Sequence, residues 1–207
     1  MQIGILGGSF NPPHRGHLAL ALTVLERGLA DAVMFIPAAV PPHKRAPREA
    51  DPATRLAMTR LLTGDDPRLS VNDIELRRSG PSFTFDTIRE LSAENPQDCF
   101  RLIIGSDMAK SFATWRAYDS LLRLAPPLVA ERPDSVFSGK PEDMFPGLDA
   151  EEVAIMQRGR FMMTPVDVSS TRVRTLFADG ADDAALLECL TPVVLAFIRE
   201  HGLYRTA

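Results

Sequence analysis

His14 and His17 stand three residues apart in the segment Gly7-Gly8-Ser9-Phe10-Asn11-Pro12-Pro13-His14-Arg15-Gly16-His17, and they are the side chains of this sequence best placed for chemistry. On a helix or its first turn that spacing leans both imidazoles to one side. The apolar run Ile3, Ile5, Leu6 before them reads as a strand, and the periodic residues after them read as a helix, so the pair falls at a strand-to-helix junction. A parallel strand delivers the chain to the carboxyl edge of its sheet, where the next helix offers unpaired amides and the positive end of its dipole to phosphate. Gly16 would let a ligand approach the backbone there. The pattern predicts a paired-imidazole clamp on phosphate oxygens. A single histidine at a helix start reads as a surface or capping residue, a reading that weakens for two of them flanking Arg-Gly after a Gly-Gly-Ser loop.

Other residues extend the phosphate theme. Ser169, Ser170 and Thr171 suit a helix N-cap whose hydroxyls and amides face an anion, and Arg174 follows Ser170 by one turn on the same face. Taken alone they are a capping sequence; together with the upstream segment they make a socket for departing pyrophosphate. Pro41-Pro42-His43-Lys44-Arg45 lies beyond a second strand, where two prolines limit the entropy lost in holding Lys44 against phosphate; the alternative is a solvated basic turn. Gly105 and Asp107 end a fourth strand. Glycine permits close approach, and Asp107 can accept from ribose or adenine, sit near a phosphate-bound cation, or simply cap a helix. Trp115, the only tryptophan, is either core or a flat surface for stacking on an aromatic ligand. Lys110-Ser111 suggests a P-loop, but Ala109 stands where a glycine must precede the lysine, and no GxGxxG occurs, which removes the nucleoside-triphosphate P-loop and the dinucleotide oxidoreductase.

His14-Arg15-Gly16-His17 resembles the HxGH signature of the nucleotidyltransferases related to class I aminoacyl-tRNA synthetases, and Val168-Ser169-Ser170-Thr171-Arg172-Val173-Arg174 resembles their second signature, ISSTxxR, with valine for isoleucine. Pro41-Pro42-His43-Lys44, Ser82-Phe83-Thr84-Phe85-Asp86-Thr87, Ile104-Gly105-Ser106-Asp107 and Trp115 are similar more narrowly to the nicotinate-nucleotide adenylyltransferases, from Met1 to Tyr204. The resemblance implies adenylyl transfer from ATP, carried by magnesium, to nicotinate mononucleotide. In it His14, His17, Lys44 and Arg174 act in catalysis. Gly7, Gly8, Ser9, Phe10, Gly16, Gly105, Asp107, Ser169 and Ser170 join them around ATP. Lys44, Thr84, Trp115 and Arg132 receive the mononucleotide. Phe83 stands where the family usually carries tyrosine. Relatives acting on nicotinamide mononucleotide, phosphopantetheine or CTP, and a non-catalytic nucleotide-binding regulatory module, are the alternatives.

These groups need a scaffold. With 207 residues and 45% hydrophobic content, the chain can bury one good α/β core, and 1–207 is read as a single domain. Strand-like runs at 2–6, 32–36, 69–74, 100–104 and 127–130 alternate with helical patterns. That predicts a Rossmann-like α/β fold, a doubly wound parallel sheet, followed by a short strand at 160–163 and a C-terminal helical segment. Leu18, Leu22, Leu25 and Leu29 form the core stripe of the first helix. Asp51-Pro52 opens a second, Thr84 is expected to cap a third, and others follow Ser169-Ser170, Asp182 and Thr191-Pro192. Residues 133–147 read as a mobile loop. A net charge of −4 and a pI near 5.6 oppose a nucleic-acid footprint. No run of eighteen apolar residues and no leader pattern occurs, and Cys99 and Cys189 lack metal or disulfide spacing, so a cytoplasmic protein without membrane contact or a protein metal site is expected. Association with further copies of the chain is left open.

Overall fold

The computed structural model describes residues 1–39, 50–131, 140–164 and 166–205. Among these, six parallel strands form one sheet in the order β3-β2-β1-β4-β5-β6, from β1 (Gln2–Gly8), β2 (Ala32–Pro37), β3 (Leu69–Val71), β4 (Cys99–Gly105), β5 (Pro127–Glu131) and β6 (Arg160–Met162). The strand order reverses at β1, as the alternating pattern requires of a doubly wound sheet, and at such a reversal ligands lie beyond the carboxyl ends of the strands. The carboxyl end of β1 is Gly7-Gly8.

Among the described residues the helices in chain order are α1 (Arg15–Glu26), α2 (Pro52–Thr63), α3 (Thr84–Glu94), α4 (Ser106–Ala109), α5 (Tyr118–Leu124), α6 (Pro141–Met144), α7 (Ala150–Arg158), α8 (Ser170–Ala178), α9 (Asp183–Cys189) and α10 (Pro192–Glu200), with a 3₁₀ turn at Phe112–Thr114. None among the described residues is long and apolar enough to cross a membrane. Clustering of contacts separates two compact units. The first comprises Met1–Leu6, Thr23–Met34 and Phe83–Pro165, and the second Gly7–Leu22, Phe35–Ser82 and Val166–Ala207.

In the first unit, β4 and β5 are near-continuous apolar runs, because a strand covered on both faces has no solvent side to make polar. Leu102, Ile103, Ile104, Leu128, Val129 and Ala130 are all buried. Parallel register sets Ile5 beside Leu102 and Ile103 beside Leu128. Two glycines allow this packing: a Cβ on Gly4 would meet the Ile103 side chain at 2.8 Å, and one on Gly159 would sit 1.8 Å from the Pro127 carbonyl. Arg160 forms a bidentate ion pair with Glu131, joining neighbouring strands β6 and β5 at a buried carboxylate. α7 starts in a capping box, Asp149 accepting from the Glu151 and Glu152 amides while Glu152 accepts from the Asp149 amide.

The second unit has its own core of Phe10, Phe35, Ile36, Met58, Val173, Leu186, Val194 and Ile198. Asp51 caps α2 with Pro52 at its first position, and Asp182 caps α9. α10 packs on α2, and α9 on α8.

Three expectations are corrected. Thr84 is the first residue of α3 rather than its cap, which is Phe83, with no side-chain bond. β3 ends at Val71 instead of residue 74, because Asn72 turns its side-chain oxygen onto the Ile74 amide in an Asx turn. The loop expected at 133–147 contains a helical turn at α6; residues 132–139 lie outside the described residues.

Candidate active site

The second unit holds both signature segments, and they touch. His14 closes the start of α1, its carbonyl accepting from the His17 amide at 2.9 Å. Its own amide donates to His17 Nδ1 at 3.2 Å, so the imidazole occupies the place of the glutamate in a capping box. A Nδ1 that accepts must be unprotonated, which leaves the proton of a neutral ring on Nε2. The two imidazoles stack with centroids 3.7 Å apart. Burial, and then the neighbouring His14, push the His17 pKa well below its ordinary value, so at neutral pH His17 is an uncharged N–H donor. Phe10 packs edge-on against the His17 ring at 4.9 Å and against Phe35 at 5.7 Å.

The downstream segment grips this loop from the other side. The Ser170 hydroxyl donates to the Pro12 carbonyl at 2.9 Å across 158 residues, and Arg174 Nη1 donates to the Asn11 carbonyl at 2.6 Å across 163. The peptide between those two carbonyls, Asn11-Pro12, is cis. Ser169 caps α8 by accepting from the Arg172 amide, which still leaves its hydroxyl proton to donate. Arg172 is exposed, pairs with the carboxylate of Asp167 and donates to its carbonyl at 2.8 Å. Gly16 also has a packing use. A Cβ there would lie 2.9 Å from Val168 Cγ1 and 3.1 Å from the His14 ring, so glycine admits the second signature segment against the first. Gly7, by contrast, has nothing among the described residues within 4 Å of a Cβ position, while Gly8 faces the Phe10 ring.

In the first unit, Thr84 and Trp115 are both half-buried. Trp115 follows the 3₁₀ turn, its amide donating to the Phe112 carbonyl at 2.9 Å and its ring lying 5.2 Å from that of Phe112. The adjacent Arg116 donates to Asp86 at 2.9 Å and stacks over the Phe83 ring at 4.9 Å, which joins the tryptophan segment to the start of α3. A Cβ on Gly105 would meet nothing within 4 Å among the described residues, and Asp107 is exposed in the short α4. Lys44 and Arg132 lie outside the described residues. Among the described residues no group of three or more His, Cys, Asp or Glu is arranged to hold a metal.

The family model described as cytidylyltransferase-like matches residues 5–176. A protein of Syntrophotalea carbinolica named "Probable nicotinate-nucleotide adenylyltransferase" is 37% identical, covering 100% of this chain and 98% of its own length. One of the same name from Geobacter metallireducens is 37% identical over 99% of this chain and 98% of its own. The chain belongs to the nicotinate-nucleotide adenylyltransferase family. The fold of this family member also superposes on nicotinic acid mononucleotide adenylyltransferase of Plasmodium falciparum, solved with NaAD, at TM-score 0.75 and 16% identity, covering 98% and 97% of the two chains.

Four residues of this nicotinate-nucleotide adenylyltransferase family member escaped sequence reasoning. Arg15 donates through Nε to the Leu187 and Leu190 carbonyls at the end of α9, where a cation also meets the negative end of the helix dipole. Arg55, 1% exposed, donates to the carbonyls of Ser9 at 2.6 Å, Ala38 at 2.7 Å and Ala50 at 3.2 Å. Asn11 and Tyr204 are buried and bonded to each other. Their partners are mostly main-chain carbonyls far away in sequence, which leave no trace in residue type. The one available signal was an arginine in the first turn of α2, where the helix dipole disfavours it.

Proposed function

We propose that this chain transfers the adenylyl group of ATP to nicotinate mononucleotide, giving deamido-NAD and pyrophosphate. The observation that carries the reading is the junction within the second unit. Imidazoles at the start of α1, hydroxyls at the start of α8 and the Arg174 guanidinium converge on the loop from Ser9 to Pro12, which is a set of donors suited to a polyphosphate. A phosphate oxygen of the mononucleotide forms a bond to the α-phosphorus, and the bond from that phosphorus to the bridging oxygen of the β-phosphate breaks. Pyrophosphate leaves with the electron pair. No group on the protein is acylated or phosphorylated, so catalysis rests on alignment and on donors aimed at developing charge.

In this scheme neutral His17 donates from Nε2 to the triphosphate, with His14 beside it. The Ser169 hydroxyl, the Ser170 main-chain amide at the first position of α8 and the Arg174 guanidinium receive the leaving pyrophosphate, and Lys44 adds a cation. Gly7, open at the end of β1, lets the backbone approach ATP, and Gly105 and Asp107 seat adenosine. Thr84, Trp115 and Arg132 select the pyridine nucleotide, the indole stacking on the ring. ATP enters as its magnesium complex, so the metal is part of the substrate. The reaction belongs in the cytoplasm, and Cys189 suits a reducing compartment: it is buried, and burial raises its thiol pKa, which keeps it inert.

The test is pyrophosphate release from the purified protein with MgATP and, separately, nicotinate mononucleotide, its amide analogue and phosphopantetheine. Release with nicotinate mononucleotide at a kcat/KM at least about tenfold above the others is expected, an energy gap of about 1.4 kcal/mol between competing transition states. Release only with another acceptor, or none with any, overturns the reading.

A further inference from the structure

The phosphate-facing loop of the second unit is held in a conformation it would not adopt unaided. Phe10, directly before Asn11, has φ +47°, in the left-handed region that bulky side chains avoid, and such a residue persists only where its surroundings over-determine it. Much of that determination converges on Asn11, which is 1% exposed. Its carbonyl is taken by Arg174, and its side-chain Oδ1 accepts twice: from the Ala50 amide at 3.1 Å and from the Tyr204 hydroxyl at 2.7 Å. Two donors on one amide oxygen fix which way the side chain points. Arg55 reinforces the same loop from the opposite end, donating to the Ser9 carbonyl and, through Nε, to the Ala50 carbonyl. Ala50 is therefore bonded on both sides, its amide to Asn11 and its carbonyl to Arg55.

Tyr204 reaches this place from the far end of the chain, 193 residues from Asn11. It follows α10 with φ +62°, is 6% exposed, and its ring lies 6.1 Å from that of Phe177 on α8. A tyrosine needed only to fill space would serve equally as phenylalanine. Its hydroxyl donates to the side chain that fixes the loop between Phe10 and the two histidines.

We propose that Tyr204 is a positioning residue for the imidazole loop, acting through Asn11 to hold His14 and His17 where they meet the triphosphate. It touches no substrate, and its effect on turnover runs through another residue. This inference rests on the adenylyl-transfer reading for its kinetic consequences but not for its structural one.

The variant is Tyr204→Phe, which keeps the ring against Phe177 and removes the hydroxyl that donates to Asn11. Turnover with MgATP and nicotinate mononucleotide is expected to fall about tenfold with both KM values within twofold, since small misplacement of donors costs rate more than affinity. In a background carrying both His14→Ala and His17→Ala the same substitution should change kcat by less than twofold, because the groups being positioned are gone. A tenfold loss in both backgrounds, or no loss in the wild type, overturns the proposal. A second readout needs no activity: the His17 imidazole, assigned by NMR with His17→Asn, should titrate closer to its ordinary value in Tyr204→Phe as water enters the loosened loop. An unchanged His17 titration with intact Tyr204→Phe overturns the proposal even if the wild type proves inactive. Wild-type silence toward nicotinate mononucleotide combined with a shifted titration overturns only the assigned reaction.

Discussion

The Ser9–His17 loop in the second unit and the Phe83–Asp86 and Trp115–Arg116 segments in the first are built by different means. The loop is fixed by buried or half-buried donors that end on main-chain carbonyls: Arg174 on Asn11, Ser170 on Pro12, Arg55 on Ser9. The tryptophan segment is tied by an ion pair and a cation–ring contact, both made by Arg116, whose side chain is 55% exposed. Charge-assisted bonds to carbonyls out of water are strong and directional, whereas exposed pairs are weak and screened by salt. Phosphoryl chemistry needs donors fixed to fractions of an ångström, because it depends on alignment. Recognition of a flat ring tolerates adjustment. Damage to the first region should therefore appear in turnover, and damage to the second in substrate affinity.

The largest effect expected is that of His17→Ala: kcat falls about 100- to 1,000-fold, the range for losing one donor to developing charge, while the dissociation constant for nicotinate mononucleotide changes less than about threefold. Steady-state kinetics paired with calorimetric binding checks it. Arg174→Ala comes next. It removes the bond to the Asn11 carbonyl and, in the proposed reaction, a cation at the pyrophosphate, so kcat/KM for ATP should drop about 30- to 100-fold. Arg174→Lys should recover little of this, because lysine lacks the planar fork that reaches Asn11 and Thr171 together. If the lysine variant regains most activity, charge alone matters there and the argument from fixed geometry fails.

Arg116→Ala should behave in the opposite way. KM for nicotinate mononucleotide rises about two- to fivefold, kcat holds, and the difference shrinks as salt is raised. A loss confined to kcat would place Arg116 with the loop and erase the contrast between the two regions. The smallest effect concerns pH and stability. The folded-state pKa of His17 lies well below the unfolded value near 6.5, so the unfolded chain binds more protons in that interval. Stability is thus complete above about pH 6.5 and declines as pH falls from there toward the folded value. Denaturant titrations at stepped pH should show a shallower decline for His17→Asn than for the wild type.

Much of the fold was legible because parallel strands buried on both faces must be apolar: the runs around Ile5, Ile103 and Val129 announced β1, β4 and β5. The C-terminal helices were readable from Asp182 and Pro192, whose cap and first-turn positions are set by chemistry local to the residue. Signals that depend on partners were not readable. Thr191 stands at an N-cap with its hydroxyl buried and, among the described residues, without a hydrogen-bond partner, so a good capping residue need not cap. Gly159 was invisible as a packing residue because the atom it avoids belongs to Pro127, in another element. His14, His17, Ser170 and Arg174, singled out by type and spacing, are brought together in the second unit, while Asn11, Arg55 and Tyr204 were missed because their partners are carbonyls and loops brought close only by folding.

The decisive experiment is NMR of ¹⁵N-histidine protein titrated with the magnesium complex of a non-hydrolysable ATP analogue, in wild type and in Arg174→Ala. If the two signature segments grip one triphosphate, the Nε2 resonances of His14 and His17 move together and saturably, His17 stays neutral throughout, and the arginine variant needs about tenfold or more analogue to reach the same end point. Imidazole resonances that ignore the nucleotide, or that respond identically with and without Arg174, would contradict the shared grip.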